Sequence, residues 1–139
     1  MIHFYQENIQ APVLPKRKLI KWITQVAKNE GFEYGEISFI FCNDEKILEV
    51  NRQFLNHDYY TDIITFDNTE GKKISGDIYI SIDTVSSNAT QFGTSFENEL
   101  FRVIIHGILH LCGQNDRTDD EKNAMTTKEN FALTLLNEI

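Results

Sequence analysis

Apolar and polar positions along the chain fall into runs of two kinds, and the kinds separate strands from helices. Short β-branched and aromatic runs predict strands at 2–7, 36–42, 62–67 and 74–81. The polar turn at 68–73 makes an antiparallel hairpin of the last two. Helical stripes alternate with these runs. Leu19, Ile20, Trp22, Ile23, Val26 and Ala27 give one apolar face to a helix at about 15–30, which Pro15 suits at its start and Gly31 at its end. Asn43 followed by Asp44 and Glu45 caps a helix to about 55, striped by Ile47, Leu48, Val50, Phe54 and Leu55. A short helix at 83–91 is closed by Gly93. Thr94-Ser95-Phe96-Glu97 reads as a capping box opening a helix at about 95–112, and Thr118-Asp119-Asp120-Glu121 as a second opening the last helix to about 136. Strands crowd the first two thirds and helices the end. The expected class is α+β: about four strands in a mixed sheet, about five helices packed on it, the 95–112 helix central.

Composition narrows the class without changing it. The 139 residues suffice for one domain with a real core, 41% apolar and 24% charged, as in soluble globular proteins. The net charge of −8 argues against a generally nucleic-acid-coated surface and leaves room only for a local basic patch. Lys16, Arg17 and Lys18, with Lys21, are candidates for phosphate contact, as are Arg52 and Lys72-Lys73. No apolar run approaches the roughly 20 residues that span a bilayer. The first residues lack the basic-then-apolar plan of a signal peptide. Cys42 and Cys112 sit in apolar surroundings and read as buried thiols of a reducing, cytoplasmic compartment.

The candidate chemistry lies in the most apolar stretch. His106 and His110 interrupt Phe101-Arg102-Val103-Ile104-Ile105 and Leu109-Leu111 four residues apart, one turn along a single helix face. Two unpaired buried imidazoles are costly, and a shared metal ion removes that cost. Gly113 ends the helix, and the chain then presents Asp116 as a third ligand. Three protein ligands with a fourth position for water is the pattern of catalytic zinc, whose bound water is acidified to about pKa 7 and attacks acyl or phosphoryl centres. The donor types also admit nickel, iron(II) and manganese. Zincin metalloproteases place a Glu general base directly after the first His; Gly107 stands there, which argues against ordinary proteolysis.

His106, Gly107, Leu109, His110, Leu111 and Gly113 match the H-G-x-L-H-L-x-G-x-D-H motif of the YbeY family of metal-dependent endoribonucleases, which this chain resembles. Thr61-Asp62-Ile63-Ile64-Thr65-Phe66 and Gly76-Asp77-Ile78 with Ile80 resemble two further family strands, and Asn51, Asp58 and Glu99 fall at family positions. The resemblance implies cleavage of single-stranded RNA in rRNA 3′-end maturation and ribosome quality control, with the small ribosomal subunit as partner; it says nothing of oligomeric state. Two departures stand out. Asp116 replaces the family's third His, and Asn115 its preceding Asp. Leu55 falls where the family carries an arginine linked to activity, and His57 where it carries a lysine; Arg52 or His57 is then the candidate catalytic replacement. Arg102, four residues before His106, is a candidate substrate contact, and Tyr59 and Tyr60 are candidate stacking platforms for bases. Two rival readings remain: a non-catalytic ribosome-assembly factor with a structural metal, and a metal-dependent hydrolase of peptides.

Overall fold

Ile37, Phe39 and Phe41 alternate along one strand and are almost fully buried, while Ile40 and Cys42 between them are buried too, so this strand is covered on both faces. In the computed structural model, which describes residues 1–10, 12–55 and 61–139, it is the second of four strands. The chain runs β1 (Ile2–Gln6), α1 (Lys16–Asn29), β2 (Glu33–Cys42), α2 (Asp44–Leu55), β3 (Ile63–Asp67), β4 (Lys73–Ser81), α3 (Ile82–Phe92), α4 (Phe96–Leu111) and α5 (Asp119–Asn137). The sheet order is β1-β2-β4-β3. β1 and β4 each pair parallel with β2, and β3 pairs antiparallel with β4 as the hairpin pattern predicts. The class is α+β with a mixed sheet.

The two faces are unequally covered. On one, Ile37, Phe39, Phe41, Ile78 and Ile80 join Leu19, Trp22, Leu100, Ile104 and Ile108 from the helices in one large core. On the other, Cys42, Ile47, Val50 and Ile64 form a small cluster under α2, edged by Phe66 and Tyr79. Trp22 Nε1 donates to the Ala132 carbonyl at 2.7 Å and ties α1 to α5. α4 is apolar nearly all round, as a helix in the middle of a core must be. It lies close on the sheet because Gly107 has no side chain: a Cβ there would stand 3.0 Å from Ile78 Cδ1 and 3.1 Å from Ile63 Cδ1. The position that denies the site a zincin general base is thus a packing requirement.

Asn43 Oδ1 accepts from the Lys46 N–H at 2.8 Å, and the Thr118–Glu121 capping box forms on both sides. The box expected at 94–97 is displaced by one residue. Ser95 is the cap, its Oγ accepting from the Asn98 N–H at 3.0 Å, so Asn98 and not Glu97 occupies the third helical position. Thr94 is unavailable because its N–H bonds the Ala89 carbonyl at 3.0 Å, finishing α3. β2 begins three residues earlier than the sequence suggests, since Glu33 and Tyr34 pair with Lys73 and Ile74 across an irregularity. Both cysteines are free thiols, and burial pushes each up to about 12. Among the described residues, no helix is long and apolar enough to cross a membrane.

Candidate metal centre

α4 delivers the two imidazoles from its last turns, with ring centroids 4.6 Å apart and planes at 81°. Gly113 then takes φ 91°, a left-handed conformation that favours glycine. Its N–H bonds the His110 carbonyl at 2.9 Å, and the Gln114 N–H bonds the Leu109 carbonyl at 3.0 Å, which closes the helix and reverses the chain. Asp116 consequently folds back over the helix end. Its Oδ2 lies 3.3 Å from His106 Nε2 and 3.5 Å from His110 Nε2. The donor atoms of the three residues all lie within 4.8 Å of one another.

The two Asp116–histidine separations fit a shared cation. Tetrahedral zinc with bonds of about 2.0–2.1 Å places its ligand atoms about 3.3 Å apart. The hydrogen bonding fits as well. His106 Nδ1 donates to Glu129 Oε2 at 2.5 Å, so in the neutral ring Nε2 presents a lone pair to the Asp116 carboxylate. Two acceptors facing each other need a proton or a cation between them.

Glu129 is the residue that sequence reasoning missed. It is only 7% exposed, and Arg102 Nη1 donates to its other oxygen at 2.9 Å while Nη2 reaches Asn130 Oδ1 at 2.7 Å. A signal existed: Met125, Glu129, Ala132 and Leu136 are the buried residues of α5, at helical spacing, so an acid occupies a core position. Asp62, at the mouth of β3, and Glu99, two turns before His106, complete the lining with Thr61, Ile63 and Val103 around a cleft of about 500 Å³. Four carboxylates and one guanidinium line it.

The charges set the protonation. Burial opposes an imidazolium at His106, but the Glu129 hydrogen bond, the Glu129 charge, Asp116 and Asp62 outweigh it and raise its pKa. Burial lowers that of His110, with His106 adding to the effect. Burial raises the carboxyls of Asp62 and Glu99 above their ordinary range, and at Glu99 the neighbouring Asp62 charge adds to it.

The remaining candidates distribute unevenly. Arg102 lines the cleft, tethered to α5. Arg52 lines a separate groove with Glu45, Leu48, Glu49 and Gln53 and is not among the residues around the histidines. On α2 it is Asn51 and Leu55 that face the site, lining with Thr61, Ile63, Thr65, Asp67, His110 and Asn115 a second groove contiguous with the cleft. Lys16, Arg17 and Lys18 are exposed at the start of α1; Lys18 borders a groove with Ser95, Glu97 and Asn98, beside the opposite end of α4 from the histidines. Lys72 instead sits over the Phe32 ring, 4.8 Å from its centroid. His57, Asp58, Tyr59 and Tyr60 lie outside the described residues.

Comparison with known proteins agrees with the motif. Residues 1–137 match the family model described as Endoribonuclease YbeY. A protein of Parabacteroides distasonis named Endoribonuclease YbeY is 58% identical, over 99% of this chain and 96% of its own length. One of Bacteroides thetaiotaomicron with the same name is 54% identical, over 96% and 98%. A solution structure of a Thermotoga maritima protein superposes with TM-score 0.68 at 29% identity, covering 98% of this chain and 89% of that one.

Proposed function

This chain belongs to the YbeY endoribonuclease family, and we propose that it cleaves single-stranded RNA phosphodiesters at a metal centre built from His106, His110 and Asp116. The single observation that carries this reading is the convergence of two imidazole nitrogens on one carboxylate oxygen, 3.3 and 3.5 Å away, with all three donors within 4.8 Å of one another. A divalent cation there, zinc by donor type, supplies Lewis-acid polarisation of a phosphoryl oxygen and an acidified water. Three protein donors leave a coordination position open, and the side chains of His106, His110 and Asp116 are 20%, 27% and 38% exposed, as a reacting site requires and a closed structural site does not.

The chain's own residues do the positioning. Glu129 holds the His106 ring by its Nδ1–H and keeps Nε2 as the ligand nitrogen, and Arg102 holds Glu129. Gly107 lets α4 sit low enough on β3 and β4 for both rings to share the cleft with Thr61 and Asp62. The groove of Asn51, Leu55, Thr65, Asp67 and Asn115 runs from His110 and offers amide, hydroxyl and apolar surface for a nucleotide next to the cut bond. The family likeness supports rRNA 3′-end maturation, with ribosome quality control and the small subunit as setting. Purified protein loaded with one zinc per chain cuts a single-stranded RNA, chelation stops it, and His110→Ala loses both zinc and cutting with its circular dichroism intact. Equal cutting by that variant overturns the reading, and peptide hydrolysis faster than any RNA cleavage replaces it.

A further inference from the structure

The cleft contains two carboxylates that the centre just described does not use. Glu99 is 5% exposed, two helical turns N-terminal to His106 on α4, and lines the cavity beside Asp62. Among the described residues its carboxylate makes no hydrogen bond and no ion pair; its neighbours act on it only through charge, Asp62 foremost. Arg102 favours the ionised form through its charge alone, its Nη1 and Nη2 hydrogen bonds going to Glu129 and Asn130. Glu129 is likewise spoken for at both oxygens. The residue is enclosed but its carboxylate opens onto the cleft, in the field of a second acid, so it offers its oxygens to whatever the cleft holds, and a cation there offsets the repulsion between the two charges.

We propose that Asp62 and Glu99 hold a second divalent cation, of the hard oxygen-ligating class of magnesium and manganese, beside the His106–His110–Asp116 centre. The donor set is all carboxylate oxygen, which suits those ions, and one or two protein carboxylates with the remaining positions filled by water is how magnesium is commonly held. Charge points the same way. Asp62, Glu99, Asp116 and Glu129 against Arg102, with neutral imidazoles, leave the lining net negative even after one divalent ion is bound. A second ion makes it net positive, as an anionic phosphodiester requires. Paired cations in nucleases stabilise both the attacking and the leaving oxygen. This charge argument rests on the RNA reading; the ion site itself does not.

Manganese is titrated into the zinc-loaded protein and free ion is counted by its paramagnetic resonance signal, with zinc content followed by atomic absorption. The expected result is one manganese per chain on top of one retained zinc. Glu99→Gln and Asp62→Asn each weaken manganese binding at least tenfold and keep the zinc, whereas His110→Ala loses zinc and keeps manganese. Manganese broadens the amide resonances around Asp62 and Glu99 in the wild type, a readout that needs no variant. Absence of a bound manganese, binding indifferent to both substitutions, or a Glu99 carboxyl still protonated at neutral pH with manganese present overturns the proposal. Failure of zinc binding alone overturns the centre described above and leaves this site standing.

Discussion

The two walls of the cleft are built on different principles. On the α5 wall the charged groups are tied together: Glu129 accepts from Arg102 and from His106, and Arg102 donates again to Asn130. On the α2 wall, Asn51, Leu55, Thr65 and Asn115 line an open groove with no lysine or arginine among its described residues, and among the described residues Asp116 is the one carboxylate contact of the His110 imidazole. Two histidines equivalent in the motif are therefore unequal in the fold. His106 is gripped and its imidazolium favoured; His110 is not, and its imidazolium is disfavoured. One wall orients a ligand, and the other leaves room beside it.

The largest effect comes from removing what both walls share. His110→Ala deletes a ligand and should lower zinc affinity and RNA cleavage together by well over the roughly 10–100-fold typical of losing a ligand's outer hydrogen-bond partner. Equilibrium dialysis and single-turnover cleavage measure this. Glu129→Gln tests the ordered wall alone and should fall within that roughly 10–100-fold range for zinc affinity. Asn115→Ala, on the open wall, should leave zinc affinity unchanged and raise KM. If the two variants weaken zinc equally, the contrast between the walls is wrong.

The floor beneath both walls comes next. Gly107→Ala places a methyl against Ile78 and Ile63; overpacking of this kind costs about 1–3 kcal/mol and the gain in helix propensity returns about 1, so a net loss of up to about 2 kcal/mol is expected, read from denaturant midpoints. A neutral result would mean that α4 has slack to rise from the sheet.

Why the walls were not equally legible follows from sequence distance. His106, His110, Gly113 and Asp116 form one local pattern, and helix geometry alone brings them together. Glu129 and Asp62 reach the site only through the packing of α5 on α4 and the setting of β3, which no local spacing encodes. Arg52 shows the limit from the other side. Asn51 and Leu55 share a helix face four residues apart, so Arg52, next to Asn51, is turned about 100° away from it. The strands, helix stops and hairpin were readable because turn and capping residues act locally; the displaced cap at Ser95 was not, because Thr94 is taken by the end of α3.

The acidic lining adds a pH effect of smaller size. Asp62 and Glu99 are held above the ordinary carboxylate range by burial, so folding favours their protonated forms. The stability they contribute is full below the unfolded value of about 4 and is lost as the pH rises through the raised folded values. Metal-free protein should thus melt at a lower temperature at neutral pH than in mild acid, and Glu99→Gln should flatten the slope. A slope unchanged by that substitution would place the titration elsewhere.

The smallest expected effect concerns the basic residues farthest from either wall. Lys18 lies beside Ser95 and Asn98, where α4 begins, while His110 is twelve residues further along that helix. At about 1.5 Å per residue the separation is about 18 Å. That is roughly twice the Debye length at physiological salt, so the exposed charges of Lys16, Arg17 and Lys18 are screened from a phosphate at the metal centre. Replacing all three with alanine should leave cleavage of a short oligonucleotide unchanged within about twofold. A longer RNA that reaches both ends of α4 should bind more weakly, with a shallower dependence of affinity on salt, because fewer counterions are released. A tenfold loss on the short substrate would mean that RNA enters along α1 rather than past α2, and the open wall would no longer be the substrate's side of the cleft.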